Sequence, residues 1–197
     1  MKHYIEKLQN YIKYRSVKPY VPSAYYTPTH VLDVISAWKG HERIIADIIQ
    51  QFDLNTNTCL EFGVEFGFST VVFANYFKKV TGVDIFLGDI HTYHKGDHYE
   101  VTKASLSKYE NIELIRADYK DWIKRDQNQY DLIHVDIVHT YEDTYNCGLW
   151  SAKHSKCTIF HDTESFPDVK QAVLEVSKYT NKKFYNYPHH FGLGIIV

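Results

Sequence analysis

The chain has 197 residues, of which 44% are hydrophobic, and its formal net charge is −2. This apolar content is typical of one globular domain and excludes a disordered chain, while a balanced charge without a long basic run argues against a broad nucleic-acid or anionic-membrane surface. Three widely spaced cysteines with no CxxC pair indicate reduced thiols. Because neither a signal peptide nor an apolar run of membrane-spanning length is visible, we expect a cytoplasmic protein.

The N-terminal residues differ from the rest of the chain in being rich in Tyr, Lys and Pro. Apolar residues at helical spacing over 4–12 predict a short amphipathic helix, and the three prolines between 19 and 28 are expected to break regular structure after it. A second amphipathic helix is predicted around 44–52. We interpret residues 1–40 as a helical arm or lid and residues 41–197 as the main domain.

Strands and helices alternate through this main domain, a pattern that predicts an α/β fold with a mainly parallel sheet and helices on both faces. The last connection, Pro188–His190, is too short for a parallel crossover, so the last strand should run antiparallel. The predicted strands lie at about 59–62, 79–85, 112–117, 130–136, 156–161, 183–187 and 191–197.

A glycine-bearing turn joins the first of these strands to the helix that follows. Gly63 and Gly67 tolerate positive φ and lack a Cβ, so they allow a turn that other residues resist. Ser69 and Thr70 come next, where their hydroxyls are expected to satisfy the free N–H groups of a helix N-terminus. When a strand leads into a helix through such a turn, the backbone amides of the turn and of the helix N-terminus lie beside one ligand site.

Acidic residues stand at the ends of the next strands. Asp84, Asp118 and Asp136 end the second, third and fourth strands, and Asp162 directly follows the fifth. Because ligands bind outside the carboxyl ends of strands in open α/β sheets, we expect these side chains near the glycine turn. The loop at 86–98 carries three histidines and is expected near the same site; their spacing favours a substrate-facing or solvent-facing loop over a second metal cluster.

Five features follow one another along the chain: Glu61-x-Gly63-x-x-x-Gly67-x-Ser69, Val83-Asp84, Arg116-Ala-Asp118, Asp131-Leu-Ile-His-Val-Asp136 and a final antiparallel hairpin. In this order they resemble the class I S-adenosylmethionine-dependent methyltransferases from about residue 58 to the C-terminus. The resemblance implies a Rossmann-like methyltransferase fold over residues 41–197. Its sheet would have seven strands in the order 3-2-1-4-5-7-6, with the last strand antiparallel and helices on both faces.

Two further motifs narrow the resemblance. They are Asp136-Ile-Val-His139-Thr-Tyr141-Glu142 after the fourth strand and His161-Asp162-Thr163 after the fifth. Both are similar to motifs of a branch of small-molecule O-methyltransferases that includes bacterial sugar and macrolide enzymes. That branch often has Gly-Asp where this chain has Ile137-Val138, so one candidate metal carboxylate of the branch is missing here.

The resemblance implies S-adenosylmethionine as the cofactor. Glu61 would lie near the methionine amino group, Asp84 would accept hydrogen bonds from both ribose hydroxyls, and Asp118 would accept one from the adenine amino group. The implied cofactor-binding residues are Glu61, Gly63, Glu65, Gly67, Ser69, Asp84, Asp118 and Asp136.

The candidate catalytic residues are His139 and Asp136. Asp136 and Asp162 are hard oxygen donors at adjacent strand ends and suit Mg²⁺ or another divalent cation, with His161 as a third ligand. Such a cation would hold an acceptor hydroxyl and lower its pKa, and His139 would take the proton as general base. The alternative is that Asp136 lies behind the cofactor and that His139 only caps the following helix.

These features predict methyl transfer from S-adenosylmethionine to a hydroxyl of a small-molecule or saccharide acceptor, with no nucleic-acid or membrane partner. The alternative is a protein that binds S-adenosylmethionine without catalysis. A nicotinamide dehydrogenase would prefer GxGxxG in the first turn, and an amino-directed nucleic-acid methyltransferase would resemble Asp/Asn-Pro-Pro-Tyr/Phe at the place of Asp136-Ile-Val-His139. The sequence leaves open whether the chain forms a homo-oligomer.

Overall fold

The structure is a computed structural model that describes residues 12–92 and 94–197. The helix predicted over 4–12 therefore falls almost entirely outside the described residues. Within them, alternating strands and helices confirm the predicted α/β class. None of the described helices is both long enough and apolar enough to cross a membrane.

The described part of the chain has the following strands and helices. The strands are β1 (Lys18–Pro19), β2 (Thr58–Phe62), β3 (Lys79–Asp84), β4 (Ile112–Arg116), β5 (Tyr130–Val135), β6 (Ser155–His161), β7 (Phe184–Tyr187) and β8 (Leu193–Ile196). The α-helices are α1 (Ile45–Gln51), α2 (Phe68–Ala74), α3 (Tyr99–Leu106), α4 (Tyr119–Arg125), α5 (Tyr141–His154) and α6 (Pro167–Thr180), and one 3₁₀ turn covers His41–Arg43.

All the strands join one sheet in the order β1-β7-β8-β6-β5-β2-β3-β4. β2 pairs in parallel with β3 and β5, β5 pairs in parallel with β6, and β8 runs antiparallel to both β6 and β7. The seven predicted strands thus have the predicted order, and the last strand is antiparallel as expected. This order brings the carboxyl ends of β2, β3, β5 and β6 to one edge, which positions the candidate site.

Within the described residues the sheet has eight strands, so the prediction of seven is wrong by one. The additional strand, Lys18–Pro19, pairs in parallel with Tyr185 and Asn186 at the edge next to β7. Pro19 was expected to break regular structure here. An edge position tolerates proline because its missing N–H faces away from the ladder, and the next residue, Tyr20, donates its N–H to the carbonyl of Asn186.

Two apolar clusters fill the space between the sheet and the helices on its two faces. Successive residues of β2 point to opposite faces, so Cys59 belongs to the cluster under α1 and α2 whereas Leu60 belongs to the one under α5 and α6. Residues 12–40 contribute to the first cluster through Tyr20 and Trp38, which are 3% and 2% exposed. The described part of the segment predicted as an arm also packs Leu32 and Val34 against the first cluster and Tyr14 and Val17 against the second, so it is anchored in the core at several points.

Candidate active site

The glycine turn follows β2 and has the backbone conformation predicted for it. Gly63 and Gly67 have φ angles of 88° and 83°, in the left-handed region that glycine adopts without strain and other residues do not. Space is a second constraint at Gly63, because a Cβ there would lie 1.6 Å from the carbonyl oxygen of Asp136 at the end of β5. The turn is therefore in backbone contact with the neighbouring strand end.

The prediction that Ser69 and Thr70 cap the helix is wrong. α2 begins at Phe68 after Gly67, which makes no side-chain cap, so both hydroxyl residues lie inside the first turn. Their hydroxyls instead donate to the two carboxylate oxygens of Glu61. This follows from the helix orientation, which turns Ser69 and Thr70 toward the sheet and buries them.

Glu61 lies in a fully buried polar network that the sequence analysis missed. The Nδ1–H of His134 donates to Glu61 Oε1 over 2.9 Å, and the indole N–H of Trp38 donates to His134 Nε2 over 3.1 Å. Because an indole N–H can only donate, Nε2 is the acceptor and the proton is on Nδ1. A signal was present, since a histidine inside the apolar strand Asp131-Leu-Ile-His-Val requires a buried partner. The contact of Glu61 with a methionine amino group stays a prediction.

Asp84 and Asp118 also bind groups of the protein itself. Asp84 Oδ2 accepts from the backbone N–H groups of Val64 and Glu65 at 2.7 and 2.9 Å, and Oδ1 accepts from Phe86 at 2.6 Å. Asp118 is the N-cap of α4 and accepts from the N–H of Lys120. The Asp84 carboxylate thus holds the glycine turn against the end of β3. Its contact with ribose and that of Asp118 with adenine stay predictions.

Glu65 lies at the centre of the turn in a left-handed conformation, with φ of 50°. Burial, followed by the nearby charge of Asp136, raises the pKa of Glu65 above its ordinary value. The turn therefore brings a carboxyl group with an increased tendency to be protonated toward the ends of β3 and β5.

Beside the turn, the predicted catalytic and metal-binding residues come together. His139 Nε2 is 2.9 Å from Asp162 Oδ2 and 3.6 Å from Asp136 Oδ1, and His161 Nδ1 is 3.2 Å from an oxygen of each carboxylate. The donor atoms of Asp136, His161 and Asp162 all lie within 4.8 Å of one another. Asp162 has a φ of 64°, a strained conformation for a non-glycine residue that is typical of functional sites.

The charged side chains of this cluster strongly shift one another's pKa values. Burial alone would lower the pKa of His139 and of His161, but Asp136 and Asp162 outweigh it and raise these pKa values to about 9 and about 10. Burial would raise the pKa of both aspartates, yet the two histidines hold each carboxyl pKa below its ordinary value. Without a bound cation, two imidazolium groups therefore neutralise two carboxylates at neutral pH.

Several ring nitrogens of the site are buried without a hydrogen-bond partner in the described structure. They are His41 Nδ1, His139 Nδ1 and Nε2, and His161 Nε2. The 2.9 Å approach of His139 Nε2 to Asp162 is thus an ion pair whose angles do not suit a hydrogen bond. Two carboxylates and an imidazole nitrogen that converge in this way fit a divalent cation.

Aromatic side chains surround His139. Its ring stacks on Phe166 with the centroids 4.2 Å apart, and the ring of His91 lies 4.9 Å away. The loop that was predicted near the site thus reaches it through His91. His94 and His98 instead pack against Phe66, so the three loop histidines do not converge on one point.

His41 is a further residue that the sequence analysis missed. Its side chain is fully buried, and its ring lies 5.3 Å from that of His161. Burial, then the neighbouring His161, lowers the pKa of His41 to about 3, so this ring is neutral. No local pattern could have placed it here, because 120 residues of chain separate the two histidines.

Known proteins share both the sequence pattern and the fold of this chain. Residues 60–163, from β2 to just past β6, match the family described as a methyltransferase domain. No curated protein sequence matches the chain. Among solved structures, the O-methyltransferase NovP has a TM-score of 0.63 over 79% of this chain and 77% of its own, at 13% identity.

Two other solved structures have the same architecture. A protein from Klebsiella pneumoniae assigned as an O-methyltransferase has a TM-score of 0.58 over 86% of this chain and 82% of its own, at 14% identity. Fibrillarin from Aeropyrum pernix, with natively bound S-adenosyl-L-methionine, has a TM-score of 0.53 over 73% and 67%, at 10% identity. At these identities the likeness concerns the fold, and the predicted Rossmann-like methyltransferase fold is confirmed.

Proposed function

We propose, since the chain belongs to the methyltransferase domain family, that it transfers a methyl group from S-adenosylmethionine to a hydroxyl of a small molecule or sugar with divalent-cation assistance. The observation that carries this proposal is the convergence of Asp136, His139, His161 and Asp162 beside the glycine turn. Gly63 contacts the backbone of Asp136, so a cofactor held by the turn and an acceptor held by the cluster would be neighbours.

Asp136, Asp162 and Nδ1 of His161 would hold the cation. Carboxylate oxygens with one imidazole suit Mg²⁺ or Mn²⁺. Bound there, a divalent cation supplies Lewis acidity, which orients an acceptor hydroxyl and lowers the pKa of that hydroxyl. Ile137-Val138 follows Asp136 at the place where the related branch often has Gly-Asp, so the ligand set has two carboxylates.

His139 would act as the general base. In the cation-free protein Asp136 and Asp162 keep it protonated, with its pKa raised to about 9, so it has no lone pair to offer at neutral pH. Once another positive charge neutralises the two carboxylates, His139 loses the attraction that holds its proton. Its neutral imidazole, held in place by stacking on Phe166, can then accept the proton of the acceptor hydroxyl.

The chemical step is an in-line displacement. The acceptor oxygen attacks the methyl carbon, the bond from that carbon to the sulfonium sulfur breaks, and the hydroxyl proton passes to His139. The products are a methyl ether and S-adenosylhomocysteine. The protein contributes mainly by holding the two reactants at near-attack distance, and Phe166 covers one face of the base against water.

Oxygen as the acceptor atom is supported by the site and by the names of structural relatives. A carboxylate-rich cation site suits hydroxyl oxygens, which are hard donors like the carboxylates themselves. NovP is described as an O-methyltransferase, as is the protein from Klebsiella pneumoniae. The loop that carries His91 borders the cluster and would shape the acceptor pocket.

A methyl-transfer assay tests the proposal. The protein is incubated with methyl-labelled S-adenosylmethionine and a panel of sugars and catechols, first with EDTA and then with Mg²⁺ restored. We expect labelled ether only with Mg²⁺, and none from the variant Asp162→Asn. Turnover that chelation leaves unchanged would refute the cation's role. Absence of S-adenosylhomocysteine binding by calorimetry would refute the cofactor, and binding without turnover of any acceptor would favour the non-catalytic alternative.

A further inference from the structure

His41 has one ring nitrogen bound and one free. It belongs to the 3₁₀ turn His41–Arg43, and its Nε2 lies 3.2 Å from the carbonyl oxygen of His189 in the β7–β8 connection. Because a carbonyl only accepts, Nε2 carries the proton and Nδ1 keeps a lone pair. That Nδ1 is fully buried and has no partner in the described structure. His41 therefore presents an unsatisfied acceptor to the interior.

His161 presents the complementary group. Its Nδ1 faces Asp136 and Asp162, at 3.2 Å from each, so Nδ1 is the nitrogen available to a cation. A histidine that binds through Nδ1 carries its proton on Nε2, and Nε2 of His161 is buried without a partner. His161 therefore offers an unsatisfied donor, and such a donor is costly unless an acceptor is found.

The two rings are placed so that the unsatisfied donor of His161 can reach the unsatisfied acceptor of His41. Their centroids are 5.3 Å apart and their planes are nearly perpendicular, at 87°, a separation that leaves room for a single hydrogen bond between ring nitrogens. The χ2 angle of histidine is soft, so a modest rotation of the rings would bring donor and acceptor together. Both side chains are at least nine-tenths buried, which removes solvent as an alternative partner.

We propose that His41 is a positioning residue of the cation site: its Nδ1 accepts a hydrogen bond from Nε2–H of His161 and so holds Nδ1 of His161 toward Asp136 and Asp162. The inference rests on the proposed function, because it concerns the same cation. Metal-binding histidines usually donate their second N–H to such a partner, which fixes the tautomer and the ring orientation. Here the partner is in turn held by the carbonyl of His189.

This arrangement would complete the site from outside the segment that matches the methyltransferase family. That segment is residues 60–163, whereas His41 precedes it and His189 follows it. The N-terminal part of the chain would then serve the site directly, in addition to burying Trp38 in the core. His190 offers a matched comparison, because its ring is 5.7 Å from that of His41 yet its side chain is exposed.

Calorimetric titration with Mn²⁺ alone tests the proposal. We expect His41→Phe, which keeps an aromatic ring but removes the acceptor, to weaken Mn²⁺ binding about 10- to 100-fold. His41→Asn retains an acceptor oxygen near the position of Nδ1, so it should recover most of that loss. His190→Ala should bind Mn²⁺ with an affinity within about twofold of the wild type, because the ring of His190 is exposed to solvent and is not the proposed partner of His161. A folded His41→Phe variant with wild-type affinity, or an equal loss in His190→Ala, would overturn the proposal.

A measurement on the wild-type protein keeps the proposal testable even where a variant does not fold. In the Mg²⁺-loaded protein, ¹⁵N-resolved imidazole spectra should show His161 protonated at Nε2, with slow exchange of that proton and a through-space contact to His41. Rapid exchange of this proton would overturn the inference. A wild type that binds S-adenosylhomocysteine but no Mn²⁺ would refute this proposal and the cation's role, and would leave methyl transfer to be decided by the labelled assay.

Discussion

The two halves of the proposed site use the same kind of residue in opposite ways. After their proposed roles, we call the glycine turn with Glu61, Asp84 and Asp118 the cofactor half, and the cluster of Asp136, His139, His161 and Asp162 the acceptor half. In the cofactor half, Glu61, Asp84 and Asp118 accept hydrogen bonds from hydroxyls, an imidazole and backbone N–H groups of the chain itself. In the acceptor half, Asp136 and Asp162 face two histidines whose remaining nitrogens have no partner among the described residues. A carboxylate at a strand end can thus hold the surrounding backbone in place or remain available to bind a ligand. Its hydrogen-bond partners show which of the two it does.

This difference has an energetic meaning. A buried carboxylate whose oxygens are satisfied stabilises the fold, whereas buried groups without partners carry a cost that a ligand can remove. Backbone strain does not separate the halves, because Glu65 in the glycine turn and Asp162 in the cluster both adopt a left-handed conformation, with φ of 50° and 64°. We therefore expect changes in the cofactor half to act mainly on stability and changes in the acceptor half mainly on catalysis.

The largest effect is expected at the point where the halves meet. Gly63→Ala would place a Cβ 1.6 Å from the carbonyl oxygen of Asp136, and neither backbone can yield without moving a strand end. We expect a loss of more than about 4 kcal/mol in the free energy of unfolding, measured by urea denaturation, or no folded protein.

Gly96→Ala is the control for that change. Gly96 also has a positive φ, of 120°, but a Cβ there meets no atom of the described residues within 4 Å. It should lose only the strain contribution, about 1–3 kcal/mol. Equal losses in the two variants would show that strain, and not the contact between the halves, decides the effect at Gly63.

In the acceptor half, His139→Gln should separate catalysis from binding. Removing the base should lower kcat about 10²- to 10⁴-fold, while the affinity for S-adenosylhomocysteine stays within about twofold, because the cofactor half is untouched. Kinetics and calorimetry measure the two quantities. His154→Gln is the control, since His154 stacks on Trp150 at the end of α5. A His139→Gln variant with half the wild-type kcat would contradict the assignment.

The sequence was sufficient to predict a side chain's position where that position follows from the strand, helix or turn that contains the residue. The left-handed glycines and the meeting of Asp136 with Asp162 follow from local patterns plus the geometry of parallel sheets, and the strand order was implied by the resemblance to class I methyltransferases. The sequence was not sufficient where contacts join distant segments. β1 has two residues and exists only through pairing with β7, and the pairing of Trp38 with His134 spans 96 positions. The rotation of α2, which turns Ser69 inward, is likewise set by packing.

The charges of the acceptor half predict a pH dependence of stability in EDTA. The pKa of His139 is raised from 6.5 to about 9, so its stabilising contribution is complete below pH 6.5 and is lost as pH rises through 9. The pKa of Asp162 is lowered, so the same ion pair is also lost as pH falls below 3.8. Counting the pair once, we expect His139 to account for about 2–3 kcal/mol of loss between pH 6.5 and 9.5, and His161, whose pKa the same carboxylates raise to about 10, to add a loss over the same range. Urea unfolding checks this, and His139→Gln should reduce the slope to the part that His161 contributes.

The smallest effect is expected from Trp38→Phe, in the network behind the cofactor half. The change keeps an aromatic ring but removes the N–H that binds His134 Nε2, leaving a buried acceptor unsatisfied, at a cost of about 1–2 kcal/mol. Trp122→Phe is the control, because its N–H binds Asp126 in a partly exposed place where water substitutes. Urea unfolding should separate the two variants, and kcat at saturating S-adenosylmethionine should stay unchanged in both. A fall in kcat for Trp38→Phe without loss of stability would show that the buried network acts on catalysis, and the division between the halves would fail.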